Sequence, residues 1–440
     1  MQYLQCYRIY GVKDVLLTQN NEYMKRLLLI TALCAGLCSS CSNSDTPAAP
    51  EPIIDPILPT FALPELDART QKAIAQQGNV FATNLMLQMN KQVPDANLMI
   101  SPMSLQYALG MLSNGCDKAA LKEITDVMGM NDYSLDMLNS FFYNLTQTLT
   151  KEDKDFTLKL ANAIWIQNGY EVGKDFIQNN KAIFGADVSD IDFGQADKAK
   201  KTINAWADKA TNGTIKELSL QVNTDTRAVL ANACYLKGKW TLPFDKKETK
   251  KETFYNQDGT TSEVDMMHLT KTFNFRDSEG EPYMAIELPY GNQTFHMVIV
   301  VPKDGYTLNE ILPTFDWNRL SLGGEKVNVT LPKFKIEAKY PEEIMKCVKK
   351  MGINQIFLSG SLPGINEELF VGQIAQDTFI EVDEAGTEAS AVTTISMELG
   401  SSGADYTPPT YTIRMDRPFV FAIREKATGA VLFMGKVVQM

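Results

Sequence analysis

Apolar residues recur at Ile74, Phe81, Leu85 and Met89, a helical spacing that predicts a helix over Asp67–Gln88. Ser101-Pro102 has the cap-then-proline order that opens a second helix, and Gly115 can end it. Asp117–Met128 and Ser134–Leu149 read as two more helices, and Lys201–Asn212 as another, stopped by Asn212-Gly213. Between and after them the period changes. Leu158–Gln167 and Ala228–Tyr235 are apolar strands, and Asp258-Gly259 is a hairpin turn between alternating runs. Met284–Leu288 and Phe295–Val301 form a hairpin around Tyr290-Gly291-Asn292. Val327–Leu331, Phe379–Val382, Phe419–Arg424 and Val431–Val438 complete a strand-rich second half. Helices early and strands late predict an α+β fold, a single mixed domain over 65–440 with no internal repeat or second linker.

One segment breaks this pattern of short connections. Residues 382–417 join a strand to a strand through about thirty residues, and a connection of that length inside a compact domain is usually functional. From Gly386 the residues alternate. Thr387, Ala389, Ala391, Thr393, Ile395 and Met397 fall on one face, small and then apolar; Glu388, Ser390, Val392, Thr394, Ser396 and Glu398 fall on the other, mostly polar. This is the writing of a half-buried strand with no tight turn to pair it. Gly386 supplies a hinge that tolerates a large backbone change. The expectation is a loop exposed in one state and added to a sheet as a strand in another.

The amino terminus is not written as fold. Met24-Lys25-Arg26, the apolar run Leu27–Leu37 and Ser39-Ser40-Cys41 have the layout of a signal peptide, too short to span a bilayer. The small pair before Cys41 resembles a bacterial lipoprotein cleavage box, with Cys41 the lipid-bearing residue and Cys38 or Cys34 as alternatives. A cleaved signal without lipid is the other reading, and Met24 is the expected start. Six prolines in residues 42–64 predict an extended tether. The expected address is the bacterial cell envelope by lipid anchor, periplasmic or surface side, or else secretion.

Composition removes several function classes. With 42 Lys+Arg against 53 Asp+Glu, net charge −11, the chain lacks the basic face that nucleic acid requires. Two histidines, His268 and His296, far apart in sequence, argue against zinc and Ser-His-Asp chemistry. There is no G-x-G-x-x-G, P-loop, H-E-x-x-H or G-x-S-x-G. Of seven cysteines, only Cys116, Cys234 and Cys347 follow the leader; an odd count without C-x-x-C reads as buried free thiols. No cofactor or metal is expected.

Five motifs in order now resemble one family, the serpins, over essentially all of 70–440. They are Asn97-x-x-x-Ser101-Pro102-x-Ser104; Asn232 with Lys237-Gly238-Lys239-Trp240 and Pro243-Phe244; Leu331-Pro332-Lys333-Phe334; Val382 through Ala389 (VDEAGTEA); and Arg417-Pro418-Phe419-Val420-Phe421. The resemblance implies a fold of about nine helices and three β-sheets with a long exposed reactive-centre loop, here about 386–416. It implies a stoichiometric suicide inhibitor of proteases, not an enzyme: the protease cuts the loop, forms an acyl complex, and is carried off as the loop inserts into the central sheet.

By the same match, Glu384, Gly386, Thr387, Glu388, Ala389, Ser390 and Ala391 form the hinge. Trp240, Lys333 and Glu384 form the breach at the top of the sheet. Ser101, Ser104 and Asn232 form the mid-sheet shutter, with Gln376 where the family usually has histidine. The family's count from Gly386 places the scissile bond at Gly400-Ser401, beside Leu399. The loop is about seven residues longer than usual, so Met397-Glu398, Leu399-Gly400 or a later bond stay open. No Lys or Arg lies between Gly386 and Ile413, which disfavours trypsin-like targets. Elastase-, chymotrypsin- or subtilisin-like enzymes, or papain-like cysteine proteases, fit better. The partner is thus a protease held covalently, the protein is expected to be a monomer, and membrane contact is through the anchor alone. The alternative is a non-inhibitory serpin that binds or scaffolds.

Overall fold

The first apolar stripe folds as helix α1 (Ala68–Gln92), started by Asp67, whose carboxylate accepts from Thr70 N at 2.7 Å. The structure is a computed structural model, which describes residues 58–149, 151, 154–387 and 410–440. All of them lie in one unit, Pro56–Met440. Helix α2 (Pro102–Ser113) is capped by the Ser101 hydroxyl and buried on almost every side. Helix α3 (Lys118–Met128) starts on Asp117 and stops at Gly129, whose φ of 69° few other residues adopt. Helices α4 (Leu135–Leu149), α5 (Lys174–Phe184), α6 (Ala196–Ala210), α7 (Leu308–Ile311) and α8 (Glu343–Met351) follow.

Two sheets carry the rest. Strands β1 (Leu98–Ile100), β5 (Lys250–Tyr255), β6 (Thr261–Arg276), β7 (Tyr283–Tyr290), β8 (Phe295–Pro302), β9 (Gly323–Pro332), β13 (Thr410–Arg414), β14 (Phe419–Glu425) and β15 (Val431–Val437) form a nine-stranded sheet. The expected counts are corrected here: among the described residues there are eight α-helices and two sheets, not about nine and three. The cause is β6. Its sixteen residues pair with β5 over the first part, with β9 from Met266 to Phe275 and with β7 at the end, so two layers become one sheet.

The second sheet has β2 (Phe156–Gln167), β3 (Asp187–Ile191), β4 (Ala228–Lys239), β10 (Phe334–Tyr340), β11 (Gln376–Val382) and β12 (Gly386–Thr387), in the order β10-β11-β12-β4-β2-β3. It consists of two well-paired halves. β4 matches β2 from Gly238↔Phe156 to Ala228↔Ile166, and β11 matches β10 from Val382↔Phe334 to Gln376↔Tyr340. Among the described residues, only the two residues of β12 join the halves: Thr387 pairs with Val382 on one side and Gly238 on the other. The inner face packs on the main core, while Ala163, Trp165 and Ala231 of the outer face pack under Phe193, Ala199 and Ile203.

Residues 58–64 lie against α5. Asn179 Oδ1 accepts from Thr60 N at 2.8 Å, Gln178 donates to the Leu58 carbonyl, and Phe61 and Leu63 pack on the core. No helix among the described residues is long and apolar enough to cross a membrane.

Candidate functional site

The chain leaves β11 at Val382 and reverses at once. Asp383 Oδ1 accepts from Ala385 N at 2.8 Å and Gly386 N at 3.1 Å, and Asp383 N donates to Gly386 O at 2.9 Å. Gly386 has φ 154°, and a Cβ there would collide with the Gly238 carbonyl, so only glycine fits. The turn delivers Thr387 between β11 and β4, its hydroxyl 2.7 Å from that of Tyr290.

Glu384 points into the same region, 4% exposed. Thr249 donates to its Oε1 at 2.9 Å; Lys333 Nζ stands 3.1 Å from Oε2, an ion pair without hydrogen-bond alignment. Burial works against the charge, but its own backbone N–H, Lys333 and Thr249 together hold the carboxyl below the usual range. Trp240 donates its ring N–H to Asp383 O at 3.0 Å and its backbone N–H to Ala385 O at 2.9 Å. Its ring stacks on Tyr290 at 4.4 Å. The structure therefore brings Trp240, Lys333, Glu384, Gly386 and Thr387 together. Tyr290, which sequence reasoning had only as part of a hairpin turn, is at their centre, and burial drives its hydroxyl pKa up.

The mid-sheet residues divide into two sets. Gln376 closes on Ser101 with both ends of its amide: Ser101 N donates to Oε1 at 2.9 Å and Nε2 donates to Ser101 O at 2.8 Å. Ser101 Oγ donates to Leu432 O and accepts from Ser104 N. Asn232 does not join them. Its amide donates to Asn162 Oδ1 at 2.6 Å, across β4–β2, and its Oδ1 has no partner among the described residues. Ser101, Ser104 and Gln376 thus form one hydrogen-bonded set, and Asn232 faces it across a gap. That gap is a cavity of about 620 Å³ lined by Ser104, Leu109, Leu230, Asn232, Ile374 and Gln376. It continues the line of β12 between β4 and β11.

A strap closes the outer side of this slot. Asp377 on β11 accepts from Ser219 N and Oγ, both at 2.6 Å, and Gln373 bonds Gln221 N and Ser219 O. Leu218, Leu220 and Val222 pack on the outer core of β2 and β4. Sequence reasoning missed the strap, since a run without periodicity carries no sign of what it crosses. Glu388, Ala389, Ser390, Ala391, Met397, Leu399, Gly400, Ser401 and Cys41 lie outside the described residues.

His268 stands between Glu252 (2.7 Å) and Thr330 (3.3 Å), in the order of an acid–base–hydroxyl relay. However, Thr330 is 1% exposed and Arg414 binds the second Glu252 oxygen, so no substrate reaches that hydroxyl. Burial pushes the thiols of Cys116 and Cys234 up to about 12 and Cys347 to about 11, the reverse of an activated nucleophile. Among the described residues no His/Cys/Asp/Glu group could hold a metal ion.

Residues 76–440 match the family profile of the serpins, described as serine protease inhibitors. A serpin-like protein of Methanosarcina mazei is 33% identical over 376 residues, covering 83% of this chain and 87% of its own. Human neuroserpin is 31% identical, covering 78% and 86%. Among solved structures, Serpin48 of the insect Tenebrio molitor, described as a highly specific serpin, superposes with a TM-score of 0.74 at 28% identity, covering 86% of this chain and all of that one. Thyroxine-binding globulin in complex with thyroxine superposes equally well, TM-score 0.74 at 27% identity, over 83% and 99%.

Proposed function

The chain belongs to the serpin family of serine protease inhibitors, and from that premise we propose that it is a stoichiometric inhibitor that traps a protease covalently. The target's nucleophile attacks the carbonyl of a loop bond, the amine of the following residue leaves, and the new C-terminal end stays esterified to the protease. The released strand then enters the slot below β12.

The observation that carries this reading is β12 itself. Its two residues are already hydrogen-bonded between β11 and β4, and an open slot continues in their direction. Extending that register gives a chemical match. Ala389 and Ala391 would stand opposite Leu236 and Cys234 of β4. Thr393 would come between Asn232 and Gln376, and Ile395 between Leu230 and Ile374. Hydroxyl meets amides, and apolar meets apolar. Met397 would reach Ala228, the first residue of β4, about 33 Å down the sheet from Thr387 at about 3.3 Å per residue. A cut at Gly400-Ser401 or nearby supplies that length. Trp240, Lys333 and Glu384 then act as the breach, Glu384 and residues 386–391 as the hinge, and Ser101, Ser104, Asn232 and Gln376 as the shutter.

The target belongs to the elastase-, chymotrypsin-, subtilisin- or papain-like enzymes, because the loop has no basic residue to offer. We place the protein as a monomer on the bacterial envelope, tethered through a lipid on Cys41 by residues 42–64. The test is to mix the protein with neutrophil elastase, chymotrypsin and subtilisin and run denaturing gels with mass mapping. An SDS-stable complex with a released C-terminal peptide is expected. Cleavage by all three without a complex, and without thermal stabilisation of the product, would favour the non-inhibitory alternative.

A further inference from the structure

We propose that Tyr290 is a positioning residue for strand insertion: its hydroxyl seats Thr387 between the halves of the sheet before any cleavage. Insertion then starts from a strand already in register. The inference rests on the trapping reaction proposed above.

The seat is built independently of its occupant. The Tyr290 ring is stacked on Trp240 with an interplanar angle of 12° and lies 5.7 Å from the Phe156 ring. Its backbone pairs with Phe295 and bridges to Trp240. The ring reaches the slot beneath Gly238, where an added Cβ would lie 2.9 Å from Tyr290 and 2.7 Å from Phe156. So β4 lacks a side chain at the one residue that pairs with Thr387.

The hydroxyl needs its occupant. Tyr290 is 1% exposed, and among the described residues Thr387 Oγ1 is the hydroxyl's only hydrogen-bond partner. Withdrawing the hinge would strand a buried hydroxyl, which is costly, so the docked state is the favoured resting state. The contact also sets register. A one-residue slip would turn Thr387 to the outer face and bring Glu388 or Gly386 against the ring, and every later residue would change face with it. One hydroxyl pair thereby selects the arrangement in which Thr393 meets Asn232 and Gln376.

The test compares Tyr290→Phe, Thr387→Val, their double variant and Thr387→Ser. With a protease that the wild type traps, the measurement is the fraction of cut inhibitor that becomes complex rather than free product. Each single loss is expected to slow insertion about fivefold, the effect of one hydrogen bond, and to shift partition toward product. The double variant should match the singles, and Thr387→Ser should match the wild type. Additive losses, or no change in partition, would overturn the proposal. A merely structural tyrosine would lower the melting points of cut and uncut protein alike and leave Thr387→Val silent. If the wild type traps nothing, the functional reading fails, and the seat is judged in uncut protein by amide exchange at Thr387. Faster exchange in Tyr290→Phe supports the seat, and unchanged exchange refutes it.

Discussion

The Glu384 carboxylate is almost fully buried yet keeps its charge, because an ammonium, a hydroxyl and its own backbone N–H outweigh the loss of water. Its folded pKa lies below the ordinary carboxylate value. It therefore contributes stability above the unfolded pKa, near 4.5, and that contribution is lost as pH falls through the lowered folded value. Acidification below about pH 4.5 is expected to loosen the hinge, with a cost on the order of 1 kcal/mol because Lys333 is partly exposed. Exposure of the 383–387 turn to a nonspecific protease, followed against pH, measures it; Glu384→Gln should remove the pH step. Of the residues of this corner, Gly386 was legible from its own chemistry, whereas Trp240, Lys333 and Glu384 were legible only through the serpin motifs they fall in. Gly386 admits no Cβ, and Lys333 and Glu384 need opposite charges. Tyr290 was not legible in the same way, since an aromatic at a strand end reads as core until its hydroxyl partner is known.

Elements were readable where one periodicity dominated. α1, α3 and α4 announce themselves by spacing and caps, and β4, β8 and β14 by apolar runs. α5 was missed because two of its buried positions are polar, Asn179, which accepts from Thr60, and Asn180, whose amide donates to Phe176 O, so its stripe looks broken. α8 was missed because its nine residues give only about two and a half turns, fewer than the window that periodicity needs. β12 is beyond any local pattern: two residues become a strand only because β11 and β4 offer edges on both sides. The strap over the slot is a similar long-range product, and it has a cost for the reaction. It is fixed to β11 through Asp377 and to the β4 side through Leu218 and Leu220, so a strand that widens the slot must release one attachment. Asp377→Ala removes the two hydrogen bonds from Ser219. It should destabilise uncut protein by about 2–3 kcal/mol and cut protein much less. Melting of both forms decides this; equal losses would mean the strap does not sense the slot.

At the scale of the whole molecule, the central sheet is two complete ladders held apart at the middle and joined at one end. A sheet in that condition leaves one edge of β4, the edge toward β11 below Gly238, without a strand partner among the described residues, facing Gln376 and its neighbours across a cavity, while its other edge is paired with β2. Unpaired backbone edges inside a fold are unfavourable, and the chain carries its own remedy in residues 388–397, whose alternation suits both faces of the slot. The restraint on that strand is covalent: β13, starting at Thr410, is paired parallel to β9 in the other sheet and fixes the chain that follows residues 388–397 there. Cutting the loop removes that restraint without adding any contact of the protease. The cut protein should therefore be more stable than the intact one even when the enzyme has gone. Each kcal/mol gained is worth only about 1 °C in a domain of this size, so a strand of about ten residues paired on both edges, at about 1 kcal/mol per hydrogen bond, predicts a rise in Tm on the order of 10 °C. Scanning calorimetry before and after cleavage by a protease that does not stay bound reads this directly. An unchanged Tm would show that the slot does not accept the strand, and the trapping mechanism would fall with it.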